Sequence, residues 1–340
     1  MSAPSVRIGM QICTQHPTGD DMHARLQGIL EQVRVARDHG FSTVVAPQHF
    51  LTDPLQMYQP LPLLARVAAE TGHMRLATCI ALLPLLNPVE FAEQAATLDI
   101  ITGGRFAVGV GYGYRDVERE AVGLAEEERL PRYLENLDLV RRLLSGEEIH
   151  HESRHCRLDG VSMTLRPVQR PSPPLWIGAN KDGAIRRVAD VGDTWLINPH
   201  ARLETLDRQM NEVYRPELER LGKTFPSVIP IRRELYCGRD RETAVREGGP
   251  WMFEKFKSYA SWGHEKAFPK GEHFQGPLEE LMEDRFIVGD PDDCIEQLER
   301  YRSRIGANEF IIRVQWPGMP QEQAMENIKL IGTRVLPYLS

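Results

Sequence analysis

Four short segments carry side chains whose type and spacing could do chemistry. His49, in Pro47-Gln48-His49-Phe50, follows the apolar run 43–46, and an imidazole there could move protons near neutral pH. Gly109-Val-Gly111-Tyr112-Gly113-Tyr114 closes the run 105–110. Its spacing misses the dinucleotide fingerprint Gly-x-Gly-x-x-Gly, because the last slot falls on Tyr114 or, counted from Gly111, on Asp116. What remains is either a strand end where missing Cβ atoms admit something flat, or a tight turn alone. Gly178-Ala179-Asn180-Lys181-Asp182-Gly183 leads from another apolar run into a helical stretch ending at Gly192. Free N–H groups at a helix start, with Lys181 beside them, suit an anion such as phosphate; the alternative is an ordinary helix cap by Asp182. His151-Glu152-Ser153-Arg154-His155 spells His-Glu-x-x-His, which on a helix binds zinc. Here Gly146 stops the preceding helix, and residues 147–159 offer only Ile149, Cys156 and Leu158 as apolar anchors. A polar hairpin or loop without metal is expected, and Glu126, Glu127 and Glu128 read as a solvated run.

Eight short apolar runs frame these segments, at 6–12, 43–46, 74–83, 105–110, 175–179, 193–197, 228–237 and 310–314. Most are continuously apolar, so both strand faces need cover, as in a parallel sheet wrapped by helices. Between them lie helical spacings such as Leu26, Ile29, Leu30, Val33 and Ala36 before His39-Gly40, and Leu134, Leu137, Val140 and Leu144 before Gly146. Eight alternations predict an α/β fold of the (β/α)8 TIM-barrel type, here one domain over residues 1–340. Such barrels run to about 250 residues before insertions, so some ninety are inserted. The segments 145–174 and 251–284 are the candidates, the second a long Gly- and Pro-punctuated loop that could act as a lid. In a barrel, His49, Gly111 and Lys181 would all reach the C-terminal face, where chemistry collects.

With 41% hydrophobic and 26% charged residues the composition is that of a globular protein, and a formal charge of −7 leaves no basic excess for a nucleic acid. The longest largely apolar run, 76–86, is eleven residues and is broken by Pro84, well short of the roughly 20 that cross a bilayer. No membrane segment is expected. The first seven residues lack a signal-peptide core and the five cysteines are scattered, so a reducing cytoplasm is the expected compartment.

In order and spacing, these motifs resemble the bacterial luciferase-like family of flavin-dependent monooxygenases almost end to end. The likeness is carried by Asp38-His-Gly40-Phe41, Gln48-His49-Phe50, Leu82-Leu-Pro84, Asn87-Pro88, Leu98-Asp99 and Gly103-Gly-Arg105-Phe106 with Gly109 to Gly111. It continues through Pro173-Pro174-Leu-Trp-Ile-Gly178-Ala179, Gly192-Asp193-Thr-Trp195, Gly289-Asp-Pro291, Ile305-Gly306 and Val335-Leu336-Pro337. The resemblance implies a barrel that holds reduced FMN with its ring at the C-terminal face. There the flavin meets O2, forms a 4a-hydroperoxide and inserts one oxygen atom into a small organic substrate. A closing lid at 251–284 would exclude water. No nicotinamide site is legible, so a separate flavin reductase is expected as partner, and family members are commonly homodimers.

Residue by residue, two adjacent active-site histidines of the family fall on Gln48 and His49, so only the second is retained; Gln48 can hydrogen-bond but cannot shuttle a proton. A non-proline cis peptide, against which the flavin ring leans, would fall near Cys79-Ile80. Gly111 and Tyr112 match the stretch that meets the ribityl phosphate. Luciferase has an arginine where Tyr112 stands, which shifts the phosphate clamp towards Gly178, Ala179, Asn180 and Lys181. Phe50, Met57, Tyr58, Trp195 and Trp262 could line an apolar substrate pocket. A branch of the superfamily uses a deazaflavin for hydride transfer and carries an acid at the position of Gln48, so FMN is the expected cofactor. Two alternatives stay open: a deazaflavin-dependent oxidoreductase, and a flavin-binding protein without turnover, which the loss of one histidine permits.

Overall fold

Strands that are apolar on both faces are stable only when both are covered, and here eight parallel strands achieve this by closing into a cylinder surrounded by helices. The computed structural model describes residues 6–269, 271–274 and 276–339. The expectation for the first five residues, and positions 270 and 275 of the second insertion, lie outside the described residues. The barrel strands are β1 (Arg7–Gln11), β2 (Thr43–Ala46), β3 (Arg75–Thr78), β4 (Phe106–Gly111), β5 (Leu175–Ala179), β6 (Thr194–Ile197), β7 (Pro230–Cys237) and β8 (Glu309–Arg313). Each pairs in parallel with the next, and β8 closes the ring on β1 with Arg7 opposite Glu309 and Gln11 opposite Arg313. Around them run α1 (Met22–Asp38), α2 (Pro60–Thr71), α3 (Pro88–Ile101), α4 (Glu126–Ser145), α5 (Asp182–Val191), α6 (Arg241–Ser261), α7 (Pro291–Ile305) and α8 (Gln321–Arg334).

The local reasons for these elements are visible in the chain. Asp21 caps α1 by accepting the Ala24 N–H at 3.1 Å, and Ile29, Leu30, Val33 and Ala36 form its buried stripe. Gly146, in the left-handed conformation, ends α4 where the sequence predicts a stop. Leu137, Val140 and Leu144 are buried as expected, whereas Leu134 is partly exposed. Between cylinder and helices lies the main core. The cylinder's own interior is a smaller apolar cluster of Val45, Ala77, Cys79, Ala107, Trp176, Leu196 and Ile311. Its packing pairs extremes of size: Trp176 stands in register with Gly109 on the neighbouring strand. A Cβ on Gly109 would lie 1.8 Å from the Thr78 carbonyl oxygen, and the Thr78 hydroxyl both donates to the Gly109 carbonyl (2.6 Å) and accepts its N–H (3.0 Å).

Two expectations need correction. The strand expected over 74–83 ends at Thr78; the Cys79–Ile80 peptide is cis, and only Ala81–Leu82 resumes pairing, with β4. The second insertion is shorter than 251–284, because α6 continues to Ser261: Met252, Phe256 and Tyr259 recur at helical spacing and are buried in a second apolar cluster. The first insertion holds the antiparallel hairpin Ile149–Glu152 with Arg157–Val161. There His151 bonds Glu135 of α4 at 2.6 Å, and no group of three or more potential metal ligands occurs among the described residues.

Gly109→Ala is expected to lower the urea midpoint by the equivalent of about 3 kcal/mol, because backbone must move to admit the methyl group. Gly183→Ala, which meets nothing within 4 Å, is expected not to lower it; equal midpoints for the two variants would contradict the close approach.

Candidate active site

The strands deliver their C-terminal ends to one cavity of about 770 Å³, within the size range of small-molecule sites. Nine of the ten expected site residues line it: Gln48 and His49 beyond β2, Cys79 and Ile80 beyond β3, Tyr112 beyond β4, and Gly178, Ala179, Asn180 and Lys181 at the end of β5. Gly111 does not. It lies beneath Ile80, whose Cδ1 would be 2.0 Å from a Cβ at that position, so its lack of a side chain serves to seat Ile80. Gly178, at the end of the neighbouring strand, faces the same isoleucine, with 3.5 Å from its Cβ position to Ile80 Cγ2. The result is a cradle with a smooth apolar floor, suited to a planar ring.

His49 is held by a partner that no local pattern signals. Its Nδ1 is 2.9 Å from Glu118 Oε1, in the short helix Asp116–Ala121, and the same oxygen accepts the Phe50 N–H at 2.8 Å. Glu118 is buried and lies 3.4 Å from the Arg115 guanidinium, which also donates to the carbonyls of Phe50 and Leu51 and stacks over Trp262 at 4.4 Å. With Nδ1 engaged by the carboxylate, Nε2 is the ring nitrogen left for a ligand. The neighbouring Gln48 is committed differently, its Oε1 accepting the Leu82 N–H at 2.8 Å.

At one side of the cavity the charge is positive. Helix α5 begins at Asp182 with Lys181 as its cap residue; Asp182 does not cap the helix but pairs with Arg208 at 2.9 Å. Lys181 and Arg187 line the cavity without an ion-pair partner among the described residues. Arg129 lies 4.1 Å over the Tyr112 ring, placing a guanidinium beside the position where the sequence lacks one. The Asn180 backbone carbonyl accepts from the Gln209 side-chain amide, and its Oδ1 accepts from the Asn198 amide at 2.8 Å, which fixes its orientation.

Over the opposite side lies the shortened insertion. His264, in the turn His264–Ala267, stacks on Tyr114 at 3.9 Å between centroids and meets His200 edge-on at 4.1 Å. Burial pushes both imidazoles well below the usual histidine range, so they are neutral near pH 7. Lys255 of α6 also lines the cavity, bonded to Glu234; burial pushes its ammonium down to about 7. Burial alone would raise the Glu234 carboxyl, but Lys255 and Arg313 outweigh it and leave it below its ordinary value.

The aromatic lining differs from expectation. Phe50, Met57, Tyr58, Trp195 and Trp262 do not line the cavity, whereas Tyr112, Tyr114, Tyr133 and Tyr259 do. Trp195 is fully buried and donates its indole N–H to the Ala179 carbonyl at 3.0 Å, holding the end of β5. The α5 face was readable: Lys181, Ala184, Arg187, Val188 and Val191 recur at helical spacing and all line the cavity. Glu118, Arg232 and Lys255 gave no such signal.

Across residues 6–308 the chain matches the luciferase-like monooxygenase family. The flavin-dependent trigonelline monooxygenase, oxygenase component, of Acinetobacter baylyi is 22% identical over 330 residues, covering 92% of this chain and 87% of that protein. The F420-dependent glucose-6-phosphate dehydrogenase of Segniliparus rotundus is 24% identical over 314 residues, covering 88% and 90%. The oxygenating constituent of 3,6-diketocamphane monooxygenase from Pseudomonas putida, a type II Baeyer-Villiger monooxygenase solved with FMN, shares the fold with a TM-score of 0.81 at 18% identity over 99% of both chains. A closed (β/α)8 barrel with this cavity, matched along nine-tenths of its length, belongs to the luciferase-like monooxygenase family, and with it to the oxidoreductases that use a flavin-type cofactor.

Proposed function

We propose that this protein is the oxygenase of a two-component system, which takes reduced FMN from a separate flavin reductase and uses O2 to oxygenate a small organic substrate. When bound, the reduced flavin supplies the electrons that split O2, one oxygen atom going to the substrate and the other to water. The chain's own residues bind, orient and dry the site. Cys79, Ile80, Gly178 and Ala179 would face the ring, and Tyr112, Asn180, Lys181, Arg129 and Arg187 would hold the phosphate end. The His49 Nε2 atom, oriented by Glu118, holds or moves a proton at the reacting oxygen or substrate. Gln48 keeps the Leu82 backbone in place and takes no proton. Tyr114 and His264 close the cavity against water.

The observation that carries the reading is the buried His49–Glu118 pair in a cavity whose floor suits a planar ring. Beside that pair stands an amide, Gln48, where the deazaflavin branch has an acid, and this favours oxygen chemistry with FMN over hydride transfer. The names of the Acinetobacter relative and the Pseudomonas structure, an oxygenase component and an oxygenating constituent, support a separate reductase. The F420-dependent relative keeps the deazaflavin reading as the alternative outcome of the test.

Anaerobic fluorescence titration with reduced FMN and with reduced F420 is expected to give saturable binding of FMN at least about tenfold tighter, a difference of about 1.4 kcal/mol. Preferential binding of F420 would overturn the reading. In oxygen-consumption assays with reduced FMN and a panel of aldehydes, ketones and aromatic compounds, His49→Ala is expected to lower turnover at least about tenfold with folding retained. Glu118→Gln is expected to lower it less, because the imidazole stays in place but loses the carboxylate's charge; turnover unchanged in both would remove the pair from the mechanism.

A further inference from the structure

The cavity holds a second cationic station, deeper than the Lys181–Arg187 side. Arg232 lies on β7 in register with Ile311 of β8, a member of the interior apolar cluster, so its side chain points into the cylinder. It is half-buried, lines the cavity, and its guanidinium has no hydrogen bond or ion pair among the described residues. The arginines around it are all engaged. Arg233, on the outer face of the strand, donates to the carbonyls of Asn198 and Ala201 and lies 4.5 Å over Tyr301. Arg313 stands 3.7 Å from Glu234.

Among the described residues, no carboxylate pairs with Arg232. Glu234, two residues along the same face of β7, already accepts from Lys255 and from the Trp316 indole at 2.7 Å, besides facing Arg313. The carboxylates that line the cavity are taken as well: Asp116 lies 3.2 Å from Lys266, and Glu126 3.1 Å from Arg129. Two guanidiniums, Arg232 and Arg313, and the Lys255 amine thus share the carboxylate of Glu234. A desolvated charge is costly unless paired, so this surplus marks a place for an anion. Around it are further unmet polar atoms: Tyr114 Oη, His200 Nδ1 and His264 Nδ1 are buried without a hydrogen-bond partner among the described residues.

We propose that Arg232 is the anchor for the substrate, and that the substrate is a small organic acid whose carboxylate meets this guanidinium while its apolar body lies among Ile80, Tyr114 and Tyr259. The inference rests on the oxygenase reading above and names its substrate class. A guanidinium matches a carboxylate in two parallel hydrogen bonds, which a neutral amide cannot reproduce. The flavin's own anionic end would be served by the other station, at Lys181 and Arg187.

The test is calorimetry on the full chain, with and without FMN, using benzoate against benzamide and hexanoate against hexanamide. The acids are expected to bind at least about tenfold tighter than their amides. Arg232→Gln should abolish that preference and Arg232→Lys should keep part of it, with FMN affinity within about twofold of wild type in both. Acids bound no tighter than amides, or no binding of either up to the solubility limit, overturns the inference. So does an Arg232→Gln variant that loses FMN yet keeps the preference for acids, since Arg232 would then serve the cofactor. Acid preference that depends on Arg232 in a protein that fails to bind FMN leaves this inference standing and defeats the oxygenase reading instead.

Discussion

A closed eight-stranded cylinder has room inside only for its own side chains, and how those are distributed along its axis decides whether anything else can enter. Here the filling is uneven. Trp176, beside Gly109 and beneath the Arg75 guanidinium at 5.8 Å, occupies the end where the strands begin. Ala77, Ala107 and Gly109 keep the adjacent strands slim enough to accept it. Past that plug the strands end in small residues, Gly111 and Gly178 with Ile80 laid across them, and the cavity starts there. The close contact of β3 and β4 at Thr78 and Gly109 therefore sets the level of the floor on which everything else is arranged.

On that floor, charge is distributed by burial more than by surface attraction. His49 has its orientation set by a buried carboxylate, which itself is satisfied by a backbone N–H and an arginine. His200 and His264 are kept neutral by burial and serve as apolar, stacking groups in the cover. One lining histidine is thus supported by a carboxylate and two are not. That asymmetry fits the proposed division between proton handling at His49 and closure at the other two.

Much of the architecture was legible because its signals are periodic. Six of the eight strands fall inside apolar runs and the other two, β4 and β8, overrun theirs by one residue, at Gly111 and Glu309; α1, α4 and α5 fall where apolar residues recur every three or four positions, since burial of a face imposes that spacing. Residues that follow strand ends could be assigned to the cavity for the same reason: chain direction alone sends Gln48, His49, Asn180 and Lys181 to one rim. The Cys79–Ile80 cis peptide came only from the family resemblance. What was not legible depends on tertiary meeting. Glu118 reaches His49 across 69 residues, and Lys255 reaches Glu234 from a helix that the Gly- and Pro-rich flank had made to look like a loop. The large aromatics were misplaced because an indole is useful to a core for its volume: Trp195 supports β5 from outside the cylinder, and Trp262 supports Arg115.

A crystal structure of the complex with FMN addresses the central claim most directly. The isoalloxazine is expected against Ile80 with Gly178 and Ala179 on the same side, and the phosphate among Lys181, Arg187 and the start of α5. A ring lodged outside the cylinder mouth, or a phosphate placed at Arg232 in the interior, would contradict it.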